Sequence, residues 1–395
     1  MAKADHGRLI ALDWMRGIVM VLMTVDHASH VFNGAGISPD SYLFGAIGED
    51  LSPDGSPWAF LTRWVTHLCA PTFLFLAGAS VALSAAARER RGVRAWRVDV
   101  HLILRGLLLV LLEGWMFAAW GMQTIQVLYA IGVSLAAMAF LRHLPTWLTV
   151  GAAGVFLVLG EAAVVAAGLK PQPLGVMDPP GPWTTAWLLP RFEELAEAPN
   201  WLGLPLFPFR VFTYPAAGWM AILVLGHGFG RWLIGARGTV GFGRRAARFC
   251  AGWGAAFLVA FVILRSAGDY GNYWLDRTDD SWLRWLQVSK YPPSLAFTLL
   301  ELGIAGLLLA PLWLLQGTRL GALRSDPVTV LGQTALLYYL LHAHLLRLAG
   351  LWGFGIPLMD VGPYGPASAW IGAAGCVLAL WPLCAGYRGW RGSRR

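Results

Sequence analysis

Apolar runs of about 20 residues recur along the whole chain, and that is the length a helix needs to cross a bilayer core. Taken in order they place helices at 9–32, 63–87, 100–118, 122–141, 146–168, 211–233, 247–268, 293–315, 328–350 and 367–387. The runs do not alternate apolar and polar residues, as barrel strands would. The expected fold is therefore an all-α integral membrane protein of about ten transmembrane helices. Composition agrees, with 57% hydrophobic and only 13% charged residues, about half the charged share of a soluble domain. No soluble appendage interrupts the pattern, so 1–395 reads as a single polytopic membrane domain.

The net charge of +8 raises nucleic acid as a partner, but the placement of charge argues against it. With the N-terminus inside, the loops predicted inside carry Arg88, Arg94, Arg142, Arg244 and Arg319, and the tail adds Arg388, Arg391, Arg394 and Arg395. The loops predicted outside hold Asp40, Glu49, Asp54, Glu194, Asp276 and Asp280. This is the positive-inside pattern. It implies cytoplasmic N- and C-termini and a bilayer as the first partner. The first run holds Asp13 and Arg16 and no small-residue cleavage site, so it reads as a retained helix rather than a signal peptide. Cys69, Cys250, Cys376 and Cys384 lie in apolar segments and read as small buried hydrophobes, not as disulfide or zinc ligands. Three long outer loops, 33–62, 169–210 and 269–292, are rich in Pro, Gly and Trp and are where binding surfaces are expected. Their tryptophans suit either a headgroup belt or a stacking surface for sugar rings.

The first helix, "LDWMRGIVMVLMTVDHASHVF", carries five ionisable groups through a bilayer. At about 100° per residue Asp13, Arg16, His27 and His30 fall on one stripe, with Asp26 at its edge in i,i+4 reach of His30. Asp13 and Arg16 are i,i+3 neighbours able to neutralise each other. His27 lies roughly 16 Å further along the axis, in the outer half of the membrane. Intramembrane charge is costly and is kept mostly where it works. By depth, His67, Glu113, Glu301 and His342 also fall in the outer half, whereas Arg97 and Arg105 join Arg16 near the inner face. The set suggests a polar cavity with a cationic inner mouth. An imidazole there can act as base, nucleophile or relay, and arginines suit phosphate groups. No spacing demands a metal, and none is expected. Acyl-CoA fits as a donor, with its phosphates at the inner arginines and its pantetheine arm matching the Arg16–His27 separation.

The segments "RLIALDWMRGIVMVLMTVDH", "FLTRWVTHLCAPTFLFLAGAS", "VSKYPPS" and "VLGQTALLYYLLHAHLL" resemble bacterial membrane proteins grouped with the heparan-alpha-glucosaminide N-acetyltransferase catalytic domain. The pattern Asp-x-x-Arg, ten residues, then His, met by Asp13, Arg16 and His27, is also similar to the acyltransferase-3 family. The resemblance implies a transmembrane acyltransferase that carries acetyl groups from cytosolic acetyl-CoA to an extracytoplasmic acceptor, often a glycan or lipid-linked saccharide. No permanently bound cofactor is implied. The corresponding histidine, here His27, is the expected catalytic residue. The lysosomal enzyme has asparagine where this chain has His27, and is expected to use a histidine just before its second helix. The equivalent stretch here, "DLSPDGSPWAFL", has none. The resulting assignment gives His27, with Asp26, His30 and His67, to catalysis. Asp13, Arg16, Arg97 and Arg105 go to the CoA end, and Glu113, Glu301 and His342 to the substrate cavity. Two rival readings use the same residues: a proton-coupled permease, in which they form a relay, and a non-catalytic membrane protein, in which they fix packing. No inverted repeat or matched pair of broken helices is visible in the sequence to favour a transporter.

Overall fold

A computed structural model describes residues 8–32, 57–118, 123–169, 187–188, 191–194, 209–322, 325–350 and 365–393. The architecture is helical almost throughout. The long elements are α1 (Ile10–Phe32), α2 (Trp58–Thr66), α3 (Cys69–Glu89), α4 (Ala95–Ala118), α5 (Val127–Leu141), α6 (Thr146–Ala166), α7 (Ala216–Ala236) and α8 (Phe242–Ala267). They are followed by the short α9 (Trp282–Leu286), then α10 (Leu295–Leu315), α11 (Pro327–Gln333), α12 (Ala335–Ala349) and α13 (Gly365–Ser393). Three strands of three or four residues depart from the all-helical expectation: β1 (Gln123–Ile125), β2 (Arg191–Glu194) and β3 (Phe209–Phe212). They form one sheet in the order β1-β3-β2, with β3 parallel to β1 and antiparallel to β2. Thr124 pairs with Val211, tying the α4–α5 connection to the approach to α7.

Among the described residues, six segments are long and apolar enough to cross a membrane: 58–89, 146–166, 216–236, 242–267, 295–315 and 367–393. α5 and α12 are apolar but shorter. The helices overlap the runs read from sequence, but the run at 122–141 begins in β1 with its helix starting at Val127, and the run at 211–233 begins in β3 with its helix starting at Ala216. Large apolar side chains such as Leu107, Leu111, Trp147, Ile263 and Ile371 face outward, a surface that suits lipid rather than water.

α1 is the central element, packed against α3, α10, α11, α12 and α13. Its contact with α11 is backbone to backbone. A Cβ on Gly17 would lie 1.9 Å from the Val328 carbonyl oxygen, and one on Gly332 would lie 1.9 Å from that of Asp13. Glycine at both positions permits this approach, the close packing that joins helices where lipid supplies no hydrophobic drive. Two expected spans are broken. The run over 63–87 is α2 and α3, separated by His67 and Leu68. The run over 328–350 is α11 and α12, hinged at Thr334, which leaves helical geometry at φ −119° and ψ 25°. The first interruption has a local cause, since Pro71 has no N–H to give the His67 carbonyl four residues earlier, and Gly332 stands two residues before the second. At Thr334 the side chain donates to the Val330 carbonyl at 2.8 Å, which also accepts the Thr334 backbone N–H at 3.0 Å.

Candidate functional site

Each end of α1 carries a carboxylate with an arginine partner. At its N-terminal end Arg16 donates to Asp13 at 2.9 Å, as i,i+3 spacing allows. The second oxygen of Asp13 accepts from Arg8 and, at 3.3 Å, from Gln333 on α11. The other guanidinium nitrogen of Arg16 reaches the Ser80 hydroxyl on α3 at 3.0 Å. Asp13 is buried and fully engaged, so it holds Arg16 in place rather than facing a ligand itself.

At the C-terminal end the partners come from other helices. Asp26 pairs with Arg63 of α2 and accepts from the Thr66 hydroxyl at 3.2 Å. His27 Nδ1 lies 2.7 Å from Nε2 of His342 on α12, with ring centroids 4.9 Å apart. His342 is fully buried, and its own Nδ1 lies 3.2 Å from the Tyr338 carbonyl. The carbonyl can only accept, which assigns the tautomers. His342 carries its proton on Nδ1 and presents a bare Nε2, so His27 donates from Nδ1 and keeps a bare lone pair on Nε2. The relay orients His27 as a neutral base, in the way a second group fixes a catalytic imidazole.

A cavity of about 580 Å³ joins the two ends. Arg16, Arg88, His101, Arg105 and Arg391 line one end, and Asp26, His27, Tyr214 and Lys290 line the other. Between them the wall is largely apolar, with Phe73, Leu109, Ile131 and Leu135. The hinge at Thr334 and its neighbours Gln333 and Ala335 also contribute. Arg105 and Arg391 are exposed, so the basic end is a mouth. A basic mouth, an apolar throat and a neutral imidazole beside a carboxylate can hold a long amphipathic molecule with an anionic head and a reactive tip.

The cavity unites Arg16, Arg105, Asp26 and His27 among the residues expected from sequence, with His342 directly behind His27. The others lie elsewhere. Arg97 is exposed and stacks over Trp96 with its guanidinium 5.4 Å from the ring, away from the mouth. Glu113 is buried but accepts from the backbone N–H groups of Gln126 and Tyr129 at 3.0 and 3.1 Å. It satisfies the open first turn of α5 instead of lining the cavity. His30 is exposed and bonds the Asp26 carbonyl, not its carboxylate, at 2.9 Å. His67 is buried at the α2–α3 break, edge-on to Phe297 at 5.9 Å. Glu301 is buried on α10 and does not line the cavity. The site adds residues that sequence reasoning had not assigned to it: Lys290, Tyr214, Arg88 and Arg391. Lys290 stands inside "VSKYPPS", and the arginines stand within basic loops, but nothing local joins them to α1. The four cysteines are free and buried. Among the described residues no group of three or more His, Cys, Asp or Glu side chains is placed to hold a metal ion.

No family model matches the chain, and no curated protein matches it.

Proposed function

We propose that the protein is a transmembrane acyltransferase. It takes an acetyl or other acyl group from acyl-CoA at the cytoplasmic face and delivers it to an extracytoplasmic hydroxyl or amine, on a glycan or lipid-linked saccharide. The observation that carries this reading is the single cavity running from Arg16, Arg88, Arg105 and Arg391 to His27. The basic loops favour a cytoplasmic mouth, which fits a bacterial inner membrane, and the resemblance in the first and ninth apolar runs points the same way.

In this reading the arginines and His101 bind the CoA phosphates, a role suited to guanidinium groups. Arg16, anchored by Asp13 and Ser80, marks the start of the throat. The pantetheine arm extends along the apolar wall, and the thioester reaches His27 roughly 16 Å away. His27 Nε2 takes the proton of the acceptor as it attacks, and His342 holds the ring and accepts from Nδ1. Asp26, neutralised by Arg63, stabilises the imidazolium that forms.

The test is radiolabelled acetyl-CoA together with a saccharide acceptor and purified protein in nanodiscs, wild type beside His27→Ala. Binding by both and CoA release only by the wild type is expected. A folded wild type and variant that both fail to bind acetyl-CoA would sink the reading. A proton-coupled transporter is the second reading, favoured by the departure from helical geometry at Thr334. Substrate flux into proteoliposomes without CoA would support it.

A further inference from the structure

This inference rests on the acyltransferase reading. An acyl transfer through a tetrahedral intermediate places negative charge on the former carbonyl oxygen, and in a dry site that charge needs donors set in advance. The backbone N–H groups around His27 are committed to the α1 helix, so the donors must be side chains. Tyr214, Lys290 and Tyr339 stand on the cavity wall with His27, and the Tyr214 hydroxyl is already paired with Tyr291, which leaves Lys290 and Tyr339.

Lys290 is buried, with 3% of its surface exposed. Its ammonium lies 5.2 Å from the Tyr291 ring centroid and interacts electrostatically with Asp26, His27 and Glu301. The segment that carries it is pinned by one side chain. Asn272 Oδ1 accepts from the Ser289 N–H at 2.8 Å and the Ser294 hydroxyl at 3.4 Å. Asn272 Nδ2 donates to the carbonyls of Leu275 at 2.8 Å and Gln287 at 3.2 Å. All of these groups are buried. The frame fixes the backbone on either side of Lys290, from Gln287 and Ser289 to Ser294.

Tyr339 sits three residues before His342 on α12, with ring centroids 5.5 Å apart, so it is one step removed from His27. Its buried hydroxyl has no hydrogen-bond partner among the described residues. An unsatisfied buried hydroxyl is costly, and one on a cavity wall calls for a partner that the cavity receives.

We propose that Lys290 Nζ and Tyr339 Oη form the oxyanion site of the transfer, binding the thioester carbonyl oxygen on the side opposite the attacking acceptor. The acceptor oxygen or nitrogen forms a bond to the carbonyl carbon while His27 Nε2 takes its proton. The carbonyl π pair moves to oxygen, held by Lys290 and Tyr339. The C=O bond then re-forms, the C–S bond breaks, and the departing CoA sulfur receives the proton from His27. Acyl-CoA and acceptor become acylated acceptor and free CoA, with no other reactant required.

Isotope-edited infrared spectroscopy of ¹³C-carbonyl acetyl-CoA bound to the full-length protein in nanodiscs reads this directly. The carbonyl stretch should move to lower wavenumber on binding to wild type. Lys290→Met and Tyr339→Phe should each reverse part of that shift and lower kcat, by at least about 100-fold and about 10-fold respectively. The Kd for acetyl-CoA should stay within about threefold, and Lys290→Arg should recover part of the lost rate. A purely structural role would leave the carbonyl frequency unmoved. A wild type that turns over acetyl-CoA with an unshifted carbonyl overturns this inference alone, as do variants that keep both shift and rate. A wild type that binds no acetyl-CoA overturns the acyltransferase reading with it.

Discussion

The two ends of α1 carry the same pair of charges and hold them in opposite ways. At the N-terminal end Asp13 is met by Arg16 one turn away on the same helix. At the C-terminal end Asp26 is met by Arg63, which is 37 residues away on α2. A pair made within one helix forms whenever the helix forms, and leaves the second guanidinium nitrogen of Arg16 free to reach across to Ser80. A pair made between helices exists only when the bundle is assembled, so it couples the chemistry of the site to tertiary packing. In the proposed function the first end binds and the second reacts.

The largest expected effect lies at the reacting end. His27→Gln should reduce turnover on the order of 10²- to 10⁴-fold, the range of a lost general base, with acetyl-CoA affinity retained in a filter or scintillation-proximity assay. Next is the inter-helix pair. Asp26→Asn leaves Arg63 buried without its carboxylate and should cost about 3–5 kcal/mol of stability, seen as a lower unfolding temperature in detergent. The Asp26→Asn, Arg63→Met double variant should recover much of that loss. The binding end should respond more gently. Arg105→Ala, at the exposed mouth, should weaken acetyl-CoA binding about tenfold in low salt with kcat unchanged, the difference shrinking as salt rises. Arg97→Ala, which removes a guanidinium stacked over Trp96 and outside the cavity, should leave affinity and rate unchanged in the same titration. Equal effects of Arg97 and Arg105 would erase the distinction between mouth and outer surface.

This contrast also explains what the sequence disclosed. Helix positions were legible because apolar runs of bilayer length have few alternatives. The Asp13–Arg16 pair and the place of His27 on the same stripe were legible because helical periodicity fixes neighbours within a turn or two. The Asp26–Arg63 pair was not, since i,i+4 spacing pointed Asp26 at His30, whereas the His30 ring takes the Asp26 carbonyl instead. Depth along a helix placed Glu113 in the outer half but says nothing of which face it occupies; it turns to the start of α5. Lys290 lies in a stretch that reads as an exposed loop, and only the Asn272 frame folds it inward. The interruption at His67–Leu68 follows from Pro71, which withholds the N–H that would bond the His67 carbonyl, whereas Thr334 itself is neither glycine nor proline.

In the proposed function one cavity brings the basic mouth and the His27 imidazole to opposite ends of a single ligand. A cryo-EM structure of the His27→Gln variant in nanodiscs with saturating acetyl-CoA tests it most directly. Nucleotide density is expected against Arg16, Arg88, Arg105 and Arg391, and the thioester beside residue 27. Density for the ligand at another surface, or an empty cavity at saturation, would contradict it.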